Sequence, residues 1–266
     1  MSLLTATNLS KSFGDKLLFK NIDFSIADEK IGLIGINGTG KTTLLKIIAG
    51  LETSETGTIQ MTSGMKIEYL PQDPDFDGES TILEQVFKGD SKALRLIRDY
   101  ETTLEELSAR GDDEQIQKRF SQLSDEMSAN DAWDMESQIK TILTKLGIHD
   151  FTRKINSLSG GQKKRVALAS ALVAPCDLLI LDEPTNHLDN KMIDWLEGHI
   201  KRLTGSLLMI THDRYFLDRV VTKIMEIDQG QLYIYNGNYT HHIEKKLERQ
   251  EMAGSVERKR LNLYRQ

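Results

Sequence analysis

Gly35-Ile36-Asn37-Gly38-Thr39-Gly40-Lys41-Thr42-Thr43 fits the spacing G-x-x-x-x-G-K-[ST], with Gly35, Gly40, Lys41 and Thr42 on the fixed positions. Glycine backbone leading into a helix N-terminus presents a row of N–H donors to a polyphosphate. Lys41 would reach the β- and γ-phosphates, and the Thr42 hydroxyl would take a place on Mg²⁺. The alternative is a glycine-rich turn that binds nothing. Ile31 to Ile36 reads as a buried strand before the loop, and Thr42 to Ala49 as a helix after it, stopped at Gly50. That context predicts a nucleoside-triphosphate site.

Three further clusters could act on the same ligand. Asp177 to Leu181 is an apolar strand ending in Asp182-Glu183-Pro184. Asp182 would hold Mg²⁺ through water, and Glu183 would orient or deprotonate the attacking water. The bland alternative is an acid pair capping the next turn. Leu207 to Ile210 is a third core strand, followed by Thr211-His212-Asp213. Ligands of open α/β sheets sit beyond the strand carboxyl ends, so His212 could contact a γ-phosphate. Leu158-Ser159-Gly160-Gly161-Gln162 precedes a helix over Lys163 to Val173. Ser159 and Gln162 make a capping box, but a cap does not need two glycines. Glycines in a first turn cost ~1 kcal/mol each and suit close approach of a phosphate.

The elements that must position these groups are legible as runs. Leu4–Asn8, Leu17–Ile26, Thr56–Met61 and Lys66–Leu70 alternate and are split by turn residues, predicting a small antiparallel sheet beside the loop. Phe13 falls in the turn between the first two. It reads first as a turn aromatic packed on the core, with adenine stacking as the alternative. Pro71 ends the fourth run, and Gln72 follows it with little to say by itself. From Ser80 to Gly147 the period is helical. Thr81 to Glu84 is a capping box, and an apolar stripe from Leu94 to Met127 turns at Gly111 as a hairpin. Asp189 opens a helix through Trp195 to about Leu203, and Thr222–Asp228 with Gln231–Tyr235 form a hairpin.

Charge narrows the partners. The net charge of −6 gives no bulk reason to expect nucleic acid, and Lys88–Asp131 carries −4 by seven basic against eleven acidic residues. His241–Gln266 is helical and basic, +3 by seven against four, which leaves −9 for the rest. One cysteine, Cys176, allows no internal disulfide and suits the cytosol, and no segment has signal-peptide layout or the length of a membrane span. The end at Arg265-Gln266 lacks a helix stop, which predicts that the sequence continues.

Five motifs therefore stand in one order: GINGTGKT, a glutamine after the first sheet, LSGGQ, LLILDEP and a strand-ending histidine. The set resembles the ATP-binding-cassette ATPases over nearly the whole chain. Glu183 to Asp189 (EPTNHLD), Thr211 to Asp218 (THDRYFLD), and Gly237-Asn238-Tyr239 leading into a basic helix are similar to the ABC-F subfamily, and within it to the Uup-like group. The resemblance implies an α/β P-loop NTPase nucleotide-binding domain with a small antiparallel β subdomain and an α-helical subdomain. It implies a cassette over 1–239, with an arm-like hairpin near 80–147, and the start of a linker over 240–266. Phe13 becomes the adenine-side aromatic, Gln72 the γ-phosphate and metal sensor, Asp189 part of the loop crossing between cassettes, and His212 the switch histidine. Ser159, Gly160, Gly161 and Gln162 then serve the ATP of a second cassette, in trans.

ABC-F proteins have no membrane domains and act on ribosomes. The expected function is a cytoplasmic ATPase translation factor, closing on ATP and released by hydrolysis, with Lys245, Lys246, Arg249, Arg258, Lys259 and Arg260 facing rRNA or tRNA phosphates. A solvated helix face reads equally well from those residues alone. The alternatives are the ATPase subunit of a membrane transporter, against which the EPTNHLD wording and basic helix argue, and a DNA-repair ATPase, whose very long coiled coil is absent. A non-catalytic ATP-binding scaffold has no support, because Lys41, Glu183 and His212 are all in place.

Overall fold

The computed structural model describes residues 2–88, 92–130 and 132–263, with side chains described through Met252. The chain divides into two compact units, residues 1–69, 176–185 and 196–266 in the first, and 70–175 with 186–195 in the second.

In the first unit, β1 (Leu4–Phe13) pairs antiparallel with β2 (Lys16–Ile26). β3 (Lys30–Gly35) runs into the glycine loop, and α1 (Lys41–Ile48) leaves it. β4 (Thr56–Met61) completes a three-stranded sheet in the order β2-β1-β4. β5 (Ile67–Leu70) was expected in that sheet; it instead forms an edge of a six-stranded sheet, beside β6 (Leu178–Asp182). The reason is local. Asp177 Oδ2 accepts from Lys66 N–H at 2.8 Å, and Lys66 C=O accepts from Asp177 N–H at 2.9 Å, fixing this edge where β6 begins.

The large sheet continues through β7 (Ser206–Ile210), β3, β8 (Lys223–Asp228) and β9 (Gln231–Asn236), in the order β5-β6-β7-β3-β8-β9. β6, β7, β3 and β8 run parallel, and β9 closes the edge as the antiparallel arm of a hairpin. Every residue of β6 and β7 is buried, as strands covered on both faces require. Alternate residues on one face pack with Leu44, Leu45 and Ile48 of α1: Leu178 and Ile180, Leu208 and Ile210, Met225 and Ile227. The parallel strands therefore deliver their carboxyl ends, and the residues after them, to one rim.

The second unit is helical. α2 (Ile82–Val86) begins at a complete capping box on Thr81 and Glu84. α3 (Lys92–Ala109) and α4 (Glu114–Ala129) form the expected hairpin, with Asp113 capping α4. Tyr100 lies 5.2 Å from the ring of Phe120 and 4.9 Å, edge-on, from Trp133 of α5 (Ala132–Lys145). Lys140 bridges Glu101 and Glu136, joining α5 to α3. α6 (Gly160–Val173) packs on α2 and α5. α7 (Asn190–Arg202) begins in the second unit, and α8 (Arg214–Val220) and α9 (Tyr239–Leu263) belong to the first. No helix among the described residues is long and apolar enough to cross a membrane.

Candidate functional site

The loop is shaped by glycines that admit no side chain. Gly35 has φ +154°, and a Cβ there would stand 2.6 Å from Ile227 C=O, the neighbouring strand's backbone. Gly40 precedes α1 in the left-handed region at φ +92°, where a Cβ would stand 2.8 Å from Leu18 Cβ. Thr39 Oγ1 donates to Ile36 C=O at 2.9 Å and tightens the turn. Asn37 and Gly38 are exposed, while Thr42 and Thr43 are half-buried in the first turn of α1. Lys41 is buried; its Nζ donates to Gly35 C=O at 2.8 Å and Ile36 C=O at 3.2 Å, arching back over the loop. Burial lowers its pKa, against the opposing pull of the Glu183 and Asp182 carboxylates.

β6 brings Asp182 to this loop. Its carboxylate is 2% exposed; burial raises its pKa, while a hydrogen bond from Thr42 and the charge of Lys41 pull the other way. Asp182 Oδ2 has no hydrogen-bond partner. A buried orphan carboxylate oxygen beside a hydroxyl is a pair of hard oxygen donors, a set that suits Mg²⁺ shared with phosphate oxygens.

Glu183, next in the chain, occupies the left-handed region at φ +57°. For a non-glycine residue that conformation costs of order 1–3 kcal/mol and persists where the surroundings over-determine it. Its N–H donates to Ile210 C=O at 2.8 Å. Its Oε1 stands 3.3 Å from His212 Nε2; the His212 side chain is 69% exposed, that of Glu183 only 7%. Burial raises the Glu183 pKa, and His212 counters it. Glu183 Oε2 is buried without a partner. Lys41, Thr42, Asp182, Glu183 and His212 thus converge at one rim of one unit. A cavity of about 300 Å³ adjoins them, lined by Gly35, Ile36, Lys41, Thr211, His212 and, from α9, Lys246.

Phe13 does not pack on the core. It ends β1 opposite Lys16 and is 80% exposed, which removes the packing explanation. Lys16 itself was not singled out by the sequence; its Nζ lies 3.0 Å from where a Cβ on Gly38 would stand, and no motif signals it.

Gln72 and Ser159 to Gln162 belong to the second unit. Gln72 is exposed. Ser159 Oγ accepts from Gln162 N–H at 3.3 Å, and Gln162 Oε1 accepts from Ser159 N–H at 3.0 Å. Gly160 and Gly161 occupy the first turn of α6; nothing lies within 4 Å of a Cβ on Gly160, and the nearest atom to one on Gly161 is His187 Cβ at 3.5 Å. Packing inside the unit does not demand glycine at either position. Asp189 caps α7 through Met192 N–H at 2.9 Å.

The basic helix departs from expectation. Lys246 hydrogen-bonds Glu226 of β8, and Arg249 reaches Asp228 at 3.1 Å while stacking 3.5 Å over the Tyr233 ring. Two of the six cations expected to face nucleic acid are thus turned onto the cassette, because a buried carboxylate on β8 requires them. Arg258, Lys259 and Arg260 lie outside the described side chains, and Lys245 pairs with Glu248 on the surface.

Residues 19–186 match the ABC transporter family. The chain belongs to the ATP-binding-cassette ATPases. A Bacillus subtilis (strain 168) protein named uncharacterized ABC transporter ATP-binding protein YfmR is 51% identical over 266 residues, all of this chain and 42% of that protein. The ATP-binding protein Uup of Haemophilus influenzae is 38% identical across 93% of this chain and 38% of its own length. The energy-dependent translational throttle protein EttA of Mycobacterium tuberculosis (strain CDC 1551 / Oshkosh) is 35% identical across 97% of this chain and 46% of its own length. Uup and EttA are relatives of ABC-F type, and the chain spans less than half the length of each of the three proteins. A P-loop cassette with a small antiparallel sheet and a helical part is what the motifs predicted.

Proposed function

We propose that this cassette is the first of two in a cytoplasmic ABC-F protein that binds and hydrolyses ATP on the ribosome. The convergence of Lys41, Asp182, Glu183 and His212 in one unit carries the hydrolytic reading. Its placement in translation is supported by the relative named a translational throttle, and the second cassette by the relatives' greater length.

In this reading Gly35, Asn37, Gly38, Thr39, Gly40 and Thr43 cradle the phosphates with backbone N–H groups, and Phe13 stacks on the adenine. Lys41 leaves the Gly35 and Ile36 carbonyls for the β- and γ-phosphates. Thr42 and Asp182 would hold Mg²⁺, and Gln72 would serve as metal ligand and γ-phosphate sensor. The ion would neutralise charge on the phosphate oxygens. Glu183 accepts a proton from a water whose oxygen attacks the γ-phosphorus. The bond to the β–γ bridging oxygen breaks, leaving ADP and phosphate, and His212 steadies the γ-phosphate. Burial raises the basicity of Glu183, which suits a proton acceptor. Ser159, Gly160, Gly161 and Gln162 face the nucleotide of the second cassette, where open glycine backbone can reach a phosphate. α9 begins the linker toward rRNA or tRNA, with Lys245 and the 258–260 cations as contacts.

The matched family name also supports a second reading, the ATPase subunit of a transporter. Ribosome co-sedimentation of the full-length Glu183→Gln protein, with ATP or ADP across a salt series, separates the two. ATP-dependent retention supports the translation factor. No retention with either nucleotide, and co-purification with an integral membrane protein, favours the transporter.

A further inference from the structure

Asp182↔Ile210 is the last rung of the parallel ladder between β6 and β7. Beyond it, each strand continues into a loop that carries one of the reacting groups proposed above: Glu183 directly after β6, and His212 two residues after β7. With no further rungs, the two loops must be held by other bonds. One is the Glu183 N–H to Ile210 C=O bond at 2.8 Å. A second is a contact of 2.7 Å between the Thr185 and Thr211 hydroxyls, both residues buried, and the Glu183 carboxylate also faces the His212 backbone N–H.

The Thr211 hydroxyl does more than bridge. It also accepts from Asp213 N–H at 3.1 Å, which leaves its own hydrogen available for Thr185. Asp213 in turn caps α8 through Phe216 N–H at 3.0 Å. His212 is thus flanked by two residues fixed to the frame, although its own side chain is exposed. Thr185 lies two residues after Glu183, whose left-handed backbone needs both sides of its turn held. A valine would fill either threonine's volume, so burying two hydroxyls here gains little unless the direction of their bond matters.

We propose that the Thr185–Thr211 hydroxyl pair is a positioning device for hydrolysis, which locks the loop after Glu183 to the strand end before His212 and sets the 3.3 Å between Glu183 Oε1 and His212 Nε2. Neither threonine touches the reacting atoms. The inference rests on the roles of Glu183 and His212 given under the proposed function.

The test uses the full-length protein, with Glu183→Gln defining the share of ATP turnover that belongs to this site. Thr185→Val and Thr211→Val are expected to keep affinity for a fluorescent ATP analogue within ~2-fold while losing ~10-fold or more of that share, as lost positioning predicts. Thr211→Ser, which keeps the hydroxyl, restores it. Thr211→Val also removes the acceptor of Asp213 N–H, so Thr185→Val isolates the pair and the double valine variant is no worse than Thr211→Val alone. If a valine variant melts abnormally, Thr211→Ala, free of overpacking, takes its place. Unchanged turnover, equal loss of binding and turnover, or failure of serine to restore turnover overturns the positioning role. If Glu183→Gln itself leaves turnover intact, the assignment of the site fails and this inference with it.

Discussion

His242 Nε2, on α9, stands 3.4 Å from Glu226 Oε2, on β8, with the side chains 2% and 4% exposed. Around the same carboxylate lie Lys246, Arg249 at 3.5 Å and the Tyr235 hydroxyl, which donates at 3.2 Å. Burial alone would push the Glu226 carboxyl up; the His242 and Lys246 side chains beside it prevail and pull it down to about 2. β8 pairs with β3 along Ile31 to Gly35, so the strand that feeds the phosphate-binding loop and the first turns of α9 share one neighbour.

Removing that carboxylate strands its partners. Glu226→Ala is expected to destabilise the protein by ~3 kcal/mol, at the low end for breaking a buried pair because Lys246 and Arg249 can turn to solvent. Urea unfolding of the two proteins measures the difference. A loss below about 0.5 kcal/mol, typical of exposed ion pairs, would mean that α9 is not anchored there.

The same group predicts a pH dependence. Because its folded pKa lies below the ordinary 4.5, Glu226 contributes stability that is complete above that value and lost as pH falls toward about 2. The stability gap between the parent and Glu226→Gln should therefore narrow steadily from about pH 5 to pH 2. A gap independent of pH over that window contradicts it.

Gly160→Ala separates folding from function. With open space around its Cβ and a first-turn helical position, alanine should raise stability by up to ~1 kcal/mol. If Gly160 faces a nucleotide on a second cassette, ATP turnover of the full-length protein should nevertheless fall several-fold. Thermal melts and turnover of the same sample decide; gains in both would remove Gly160 from the nucleotide surface.

Gly35→Ala should behave oppositely. Its Cβ would press on the Ile227 carbonyl at 2.6 Å, and backbone cannot step aside as a side chain can. Lost nucleotide binding together with a destabilisation of ~1–3 kcal/mol, the cost of overpacking, is expected. A stable Gly35→Ala protein with full affinity for ATP would show that the loop can be rebuilt.

A strictly monomeric sample of this cassette should bind Mg-ATP yet turn it over poorly, since the Ser159–Gln162 surface serves another cassette's ATP. Size-exclusion chromatography coupled to a phosphate-release assay checks this. Rapid turnover by the monomer would sink the two-cassette arrangement.

What the sequence made legible follows from range. β3, β6 and β7 announce themselves as apolar runs, and the loop, acid pair and histidine fall at their ends because a parallel sheet aligns those ends. The alternation of β5 suits either sheet, and Asp177, 111 residues from Lys66, decides between them. β1 outruns its alternating stretch, continuing past a left-handed Asn8 through register shifts to Phe13. Glu226 sits in an alternating strand and reads as an outward charge until α9, 16 or more residues later, supplies its partners. Thr185 and Thr211 each stand in a quoted motif, yet they are 26 residues apart and nothing in the sequence says that their hydroxyls meet.

The charge cluster on Glu226 also says where this protein can be cut. A fragment ending near Asn238 would expose a carboxylate evolved to be dry, and would melt early for that reason rather than for lack of nucleotide. One ending after Arg249 keeps the cluster whole. For anyone preparing the cassette alone, the first three turns of α9 are cargo to retain.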